Sequence, residues 1–590
     1  LESKSNVKVY IPNSLTFNAY KPFTPSFLSL ICASVLLTLP YNVVAKDNWV
    51  LLGNTGLDTT DANTNKVTSS LTNKQISASQ NKEYKNLEIT NSGSITNTNA
   101  NYAITISNNA TIESITNKGL ISGSGNHNIS INTGSIQSFE NQGTITNSNT
   151  GKFNFNITKG TITNFTNSGT IKGGKGINIG NQSTLTNFSN SGVIKVNGTG
   201  FNNQGIYLQG ATIENLNNEG TIDGSGNGII IHSLNNQTTK IGTLKNTGTI
   251  QSNINAINFE ATTGSIEIDT ILVESGLLKG GHAGIRLNPS KATIQKIDIK
   301  AGAKVEGTNF GIHILQGKAF TGDIEVAGTL KGGVAAIGNT GTIGENGKGN
   351  IIIKSTAKLE AKQAAIYNFG GKLQGSITIE KGADLGSTTS IFNQNRNNRP
   401  SSLSGSIINH SNNNLTIKNQ NSTIGGSITS SGAGSLNIAN SGNAEIGADI
   451  KNEGSGSLNI TNSGSGSIGG SISASGNAPI SIKNEGNANI GGDIKSTGDA
   501  PITITNSSPQ GIQGSITSSG NAPLNITNSG SGKINGGITS NGKTNITNNG
   551  GNIQGSITTN GNAPLSIENS GNGSIGGSIS ASGDAPISIT

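Results

Sequence analysis

Apolar residues along this chain recur in short alternating pieces, such as Ile104-Thr105-Ile106 and Ile129-Ser130-Ile131, set between runs of Asn, Gly, Ser and Thr. A period of two marks a strand with one buried face, and no window sustains a helical period. The strands are punctuated by a beat, Asn-x-Gly followed within a few residues by Ile. It occurs at Asn91, Asn117, Asn141, Asn167, Asn190, Asn218 and Asn246, at intervals of 23 to 28 residues, and again at Asn440, Asn462, Asn484, Asn528, Asn548 and Asn569. A period held over hundreds of residues means stacked copies of one unit too small to bury its own apolar side. The pattern therefore predicts an all-β fold, a parallel β-solenoid with coils of 22 to 28 residues. Asn stacked on Asn at a turn predicts an amide ladder, with the Gly that follows supplying a positive φ.

The period divides the chain. Residues 46–84 carry Trp49-Val50-Leu51-Leu52 and a polar stretch without the beat, where the cap over the first exposed rung is expected. Residues 85–392 form irregular coils. From about 251 to 392 the Asn is replaced, at Glu274, Lys300, Val326 and Glu380, while the following apolar residue persists as Leu278, Val305, Leu330, Leu359 and Leu385. The ladder is expected to be interrupted there, and the higher charge of this stretch makes it a candidate contact surface. Residues 393–402, NQNRNNRPSS, read as a loop or junction within one continuous solenoid, because Leu373-Gln374-Gly375-Ser376-Ile377 reappears as Leu403-Ser404-Gly405-Ser406-Ile407. Residues 403–590 repeat strictly, stepping by 22 residues from Ile424 through Ile446, Ile468, Ile490 and Ile512 to Ile534. Apolar residues four, twelve and fourteen positions into each unit predict two or three short strands per coil, with a bend at the Gly-Gly or Gln-Gly between the first two. Pro479, Pro501, Pro523, Pro564 and Pro586 stand just before a strand, where a missing N–H is tolerated.

Residues 1–45 read as an export signal: a basic leader through Lys21, an apolar run from Phe27 to Leu39, the breaker Pro40, and small or apolar Val43 and Ala45 preceding a cleavage point at Lys46. The sole cysteine, Cys32, lies in this segment, so the remainder offers no disulfide, zinc thiolate or thiol nucleophile. The net charge of +7 is spread thinly without basic runs or aromatic interleaving, which argues against a nucleic-acid partner.

Enzymatic chemistry is not expected, and neither is a cofactor. His127, His232, His282, His313 and His410 lie far apart in sequence without a metal spacing, and there is no G-x-S-x-G elbow or phosphate loop. Asp449 and Asp493 are isolated on alternate coils, unlike a calcium-binding nonapeptide repeat.

A signal, a cysteine-free remainder and a long Asn/Gly/Ser/Thr-rich repeat with inward Ile together resemble the passenger domain of a bacterial autotransporter of type V secretion. The NxGxI-rich part looks like the repeats of the vacuolating-cytotoxin-like subgroup. The resemblance implies a right-handed parallel β-helix, passage through the export machinery of the inner and outer membranes of a Gram-negative bacterium, and display at the cell surface or release. It also implies a C-terminal β-barrel, which would follow Thr590, where the chain stops in mid-coil. The expected function is non-catalytic: adhesion, or interaction with host-cell or bacterial surface ligands. A vacuolating-type toxin passenger and a two-partner-secreted filamentous haemagglutinin-like protein are the alternatives.

Overall fold

The structure, a computed structural model, describes residues 46–590 other than 48, 52–56, 100–101, 181, 199–202, 235, 262, 290–291, 317–318, 346–347 and 398. The expected export signal, with Val43 and Ala45, lies outside the described residues. Among the described residues there is no helix, and Lys46–Thr590 winds as a right-handed parallel β-solenoid of about 20 coils. At a rise of ~4.8 Å per coil this unit is a rod on the order of 100 Å long.

Four sheets run along the rod. Sheets A and B, with 24 and 23 strands, extend through its whole length; sheet C has 13 strands and ends at Asp384–Leu385, whereas sheet D has 12 and begins at Ala319–Phe320. The coil thus passes through sheets A, C and B in the early part, through all four in the middle, and through A, B and D in the last part. Sheet D arises by division of a sheet A strand. Ala292–Ile299 is long, but in the next coil only its second half is matched in sheet A, by Asp323–Val326 with Lys296 opposite Asp323. Ala319–Phe320 takes the place of the first half, and Thr321-Gly322 makes the new corner. The Leu-Gln-Gly-Ser-Ile and Ile-Gly-Gly-x-Ile motifs of later coils are this same D-to-A corner, and the coils of residues 403–590 have three strands each.

Strand registers hold the apolar residues in columns. In sheet A the inward series runs Ile407, Ile428, Ile450, Ile472, Ile494, Ile516, Ile538 and Ile557, each opposite the next and fully buried. Burying each such side chain contributes roughly 1.5–3 kcal/mol. Earlier in the rod the column holds aromatics: Phe139, Phe165 and Phe188 stack at centroid distances of 5.0 Å. The prolines stand at the start of sheet B strands, and their carbonyls accept from the preceding coil, as in Leu458 N to Pro479 O and Ile480 N to Pro501 O.

Within residues 46–84 parallel coiling has already begun. Thr64–Val67 pairs in parallel with Asn86–Ile89, and Ser70–Thr72 with Ser94–Asn97. The edge is covered by two antiparallel strands, Val50–Leu51 against Ile76–Ala78 and Leu57–Asp58 against Thr64–Val67. Trp49 plugs this end, buried beside Tyr84 with its indole N–H given to the Lys85 carbonyl at 2.6 Å. Lys46, the first described residue, reaches Glu113 at 2.5 Å.

Candidate interaction face

The two runs of the Asn beat prove to be different corners. Asn117, Asn141, Asn167, Asn190, Asn218 and Asn246 end sheet A strands, each Nδ2 donating to the Oδ1 of the next at 2.6–2.7 Å. Asn440, Asn462, Asn484, Asn528, Asn548 and Asn569 end sheet B strands and form a second ladder at 2.7–3.0 Å. Sequence reading missed Asn506, which links Asn484 to Asn528, and the earlier rungs Asn339, Asn368, Asn393 and Asn419. Asn339-Thr340-Gly341-Thr342-Ile343 carries the whole motif and was a legible signal; Asn506-Ser507-Ser508 lacks the Gly.

Three expectations need correction. Asn91 is exposed in a turn and is no rung: Asn117 lies opposite Ile89, because the turn from Ile89 to Gly93 carries two more residues than that from Asn117 to Gly119. Asn117 Oδ1, the first acceptor, accordingly has no partner among the described residues. Next, the stretch 251–392 is no simple interruption. At the first corner Asn246 is followed by buried Val273, Ile299, Val326, Ile353 and Ile379, with Glu274, Lys300 and Glu380 one place further on, while the second ladder starts at Asn339 within the same stretch. Finally, the glycines that follow the Asn residues of the first ladder, from Gly119 to Gly248, have no positive φ, which appears at that corner further along, at Gly302 (85°) and Gly382 (96°), and at the second corner at Gly442 (68°), Gly464 (69°) and Gly486 (73°). At the first corner Gly is required by close approach, since a Cβ on Gly143 would sit 2.2 Å from the carbonyl oxygen of Gly119.

The charges of 251–392 largely answer one another. Lys296 bridges Asp298 and Glu325 at 2.8 and 2.6 Å, Lys300 reaches Asp298 at 2.8 Å, and Lys354 joins Glu325 and Glu380, both at 3.1 Å. Such a network ties successive coils together.

Aromatic residues single out another surface. Every described Phe, Tyr or Trp is either internal (Phe139, Phe155, Phe165, Phe188, Phe259, Phe320), in the cap (Trp49, Tyr84), or along the outer side of sheet B. The last group begins with Tyr102 stacked on His127, His127 on Phe153, and Phe153 near Tyr207, at centroid distances of 6.0–6.3 Å. Tyr207 meets His232, its hydroxyl 2.6 Å from Nδ1. A polar interval follows, where Arg286 bonds Asn258 at 3.1 Å and lies 3.7 Å from Glu260. The series ends in Phe310, His313, Tyr367, Phe369 and Phe392. No aromatic residue follows Phe392 in the chain.

At this end the face hollows into a cleft of about 420 Å³ lined by Phe310, His313, Gly338, Tyr367, Phe369 and Arg396, with Gln363 and Thr340 at its margin. Small residues make the room: Gly338 stands between His313 and Tyr367 in the outward column, and a Cβ on it would meet the Phe310 ring at 2.5 Å. Beside it Ala335, Ala364 and Tyr367 form a small buried cluster against which Phe310, Phe369 and Phe392 pack. Phe310 stacks on His313 at 4.0 Å, and Tyr367 stacks between Phe392 at 5.1 Å and Phe369 at 4.9 Å. The Tyr367 hydroxyl donates to Gln394 at 2.7 Å. Arg396 and Arg399 pair in an antiparallel bridge, and the Arg396 guanidinium lies 4.8 Å over the Phe369 ring.

Burial governs the titration of these groups. It pushes the Tyr207 phenol up to about 12. It pushes His313 down to about 3, helped by the nearby His282, Arg286 and Arg396. His127, His232 and His282 are likewise lowered, chiefly by burial. At neutral pH the imidazoles are therefore neutral, and the free charge at the cleft belongs to arginine. The face offers ring surfaces, amides and a guanidinium, a set suited to binding rather than to proton transfer. Among the described residues no three His, Cys, Asp or Glu side chains converge to hold a metal ion. The fold and this face define a β-solenoid with one aromatic side; no family model, curated protein or solved structure matches the chain.

Proposed function

We propose that this chain is a non-enzymatic, exported interaction rod, an adhesin-like passenger that contacts a cell surface through the outer side of sheet B. The observation that carries this reading is the confinement of every described surface Phe and Tyr to that one side, between Tyr102 and Phe392. Half-buried aromatics gathered on one outer face are typical anchors of interfaces. The aromatic-free coils of residues 403–590 then act as a stalk that holds the face away from its attachment. The autotransporter resemblance accords with this division and supplies the route of export.

The test is binding of the purified full chain to cultured epithelial cells, measured by flow cytometry. The variant Tyr207→Ser/Tyr367→Ser/Phe369→Ser, altered only on the outer face, is expected to lose at least about tenfold in affinity. Thr517→Ala/Thr539→Ala/Thr558→Ala, on the outer face of sheet A, is expected to bind as the parent does. Equal binding by both variants contradicts the assignment of the face.

A further inference from the structure

We propose that the cleft between Phe310 and Arg396 binds an acidic pyranose unit, one bearing a carboxylate, as part of a glycan; this rests on the reading of sheet B as the contact face. Three properties of the site select this ligand. The first is the form of the apolar surface. Half-buried Phe310 and Phe369 flank the cleft, Phe369 held by Tyr367, which is buried between it and Phe392, and Gly338 leaves the space between them open. The electron-rich faces of such rings attract the polarised C–H groups on the flat side of a pyranose.

The second is the polar margin. Gln363 is neutral and can donate and accept, and Thr340, whose hydroxyl donates to the Ile314 carbonyl at 3.1 Å, can still accept, which suits hydroxyl groups. Arg396 brings a fork of donors, held by its stack on Phe369, and Arg399 stands beside it across the turn. Among the described residues no carboxylate lies within ion-pairing distance of either arginine, in contrast to Arg286 with Glu260. A planar guanidinium without an anion at the rim of an aromatic cleft is matched by a carboxylate.

The third property disfavours the other polymers. Sheet B strands here are paired on both sides, from Phe310–Ile314 through Ala335–Asn339 and Ala364–Phe369 to Ile391–Gln394, so a peptide finds no open edge to extend. A single-stranded nucleic acid needs a cationic track along successive aromatics. Along this face the charge toward Tyr207 is instead balanced, Arg286 facing Glu260.

Saturation-transfer NMR on the full chain, with 3′-sialyllactose, a glucuronate-containing disaccharide and lactose as probes, tests the proposal. Transfer is expected to the protons of the acidic sugar in at least one of the two acidic probes, which distinguish a terminal from an internal residue, and to be at least about tenfold weaker for lactose. Arg396→Gln should abolish the preference for acid, and Tyr367→Ser should remove binding altogether, each with an unchanged circular dichroism spectrum. A Lys495→Gln variant, remote from the cleft, should bind normally. Equal transfer to lactose, no transfer to any probe, or binding untouched by Arg396→Gln and Tyr367→Ser would each overturn the proposal. In the last two cases, cell binding that still depends on the sheet B aromatics would leave the interaction rod standing without this ligand.

Discussion

At the scale of single residues, the rod depends on buried amides that satisfy one another coil after coil. Asn462 accepts from Asn440 at 2.9 Å and donates to Asn484 at 3.0 Å and to the Asn489 carbonyl at 2.9 Å. Asn462→Ala strands these partners in the interior and is expected to cost about 2–3 kcal/mol in urea denaturation, whereas Asn91→Ala in its exposed turn should stay within about 0.5 kcal/mol. The two positions share a motif and differ only in register, which is why the sequence alone could not separate them. His313 has a second, pH-dependent role. Its pKa falls from 6.5 to about 3 on folding, so the unfolded chain binds more protons between these values, and the stability present above pH 6.5 is lost as pH falls. His282, lowered in the same direction, adds to the effect. Relative to His313→Gln, the parent should lose at most about 1.4 kcal/mol per pH unit between about pH 6 and pH 4, read as the difference in urea midpoints.

At the scale of the coil, corners decide what each glycine is for. In the D-to-A corner a Cβ on Gly492 would lie 2.2 Å from the Gly470 carbonyl oxygen, while one on neighbouring Gly491 would meet nothing nearer than 3.7 Å. Gly492→Ala is therefore expected to destabilise by about 1–3 kcal/mol or more, and Gly491→Ala to be nearly neutral, in thermal unfolding followed by circular dichroism. The strict spacing of Ile490 and Ile494 around this pair made the bend legible, because inward positions on both sides of a two-strand corner must keep their distance. The change from sheets A, C and B to A, B and D was not legible. Each corner is a short polar turn between apolar strands, so the Asn-x-Gly before Ile250 and that before Ile446 look alike although one closes sheet A and the other sheet B. Only pairing register tells them apart, and register is a contact between residues 20 to 30 apart.

For the whole molecule, periodicity was enough to predict a solenoid, since a repeated coil has no other way to bury one face. The aromatic face was not, because it is built by unlike residues from many coils. Tyr207, Phe310, Tyr367 and Phe392 sit in no shared motif, and only the winding of the chain brings them to one side. Their signal in sequence was negative: Phe310, Tyr367 and Phe392 fall where the beat loosens, and the last 198 residues after Phe392 contain no Phe, Tyr or Trp. The same winding keeps the main inward columns Ile, Leu, Val and Phe, while a second buried column in sheet A changes from Asn409 through Ser430, Asn452 and Ala474 to Ser496. The central claim is that contact is made by one side of an otherwise inert rod. It can be read directly from single cysteines placed in a chain whose only thiol, Cys32, has been replaced by Ser. Gln363→Cys lies at the cleft margin on sheet B, Thr539→Cys on the outer face of sheet A, and Ser467→Cys on that of sheet D. With the protein bound to epithelial cells, the rate of maleimide labelling is predicted to fall several-fold at position 363 and to remain that of the free protein at 539 and 467. Protection at 539 or 467 with none at 363 would contradict the account.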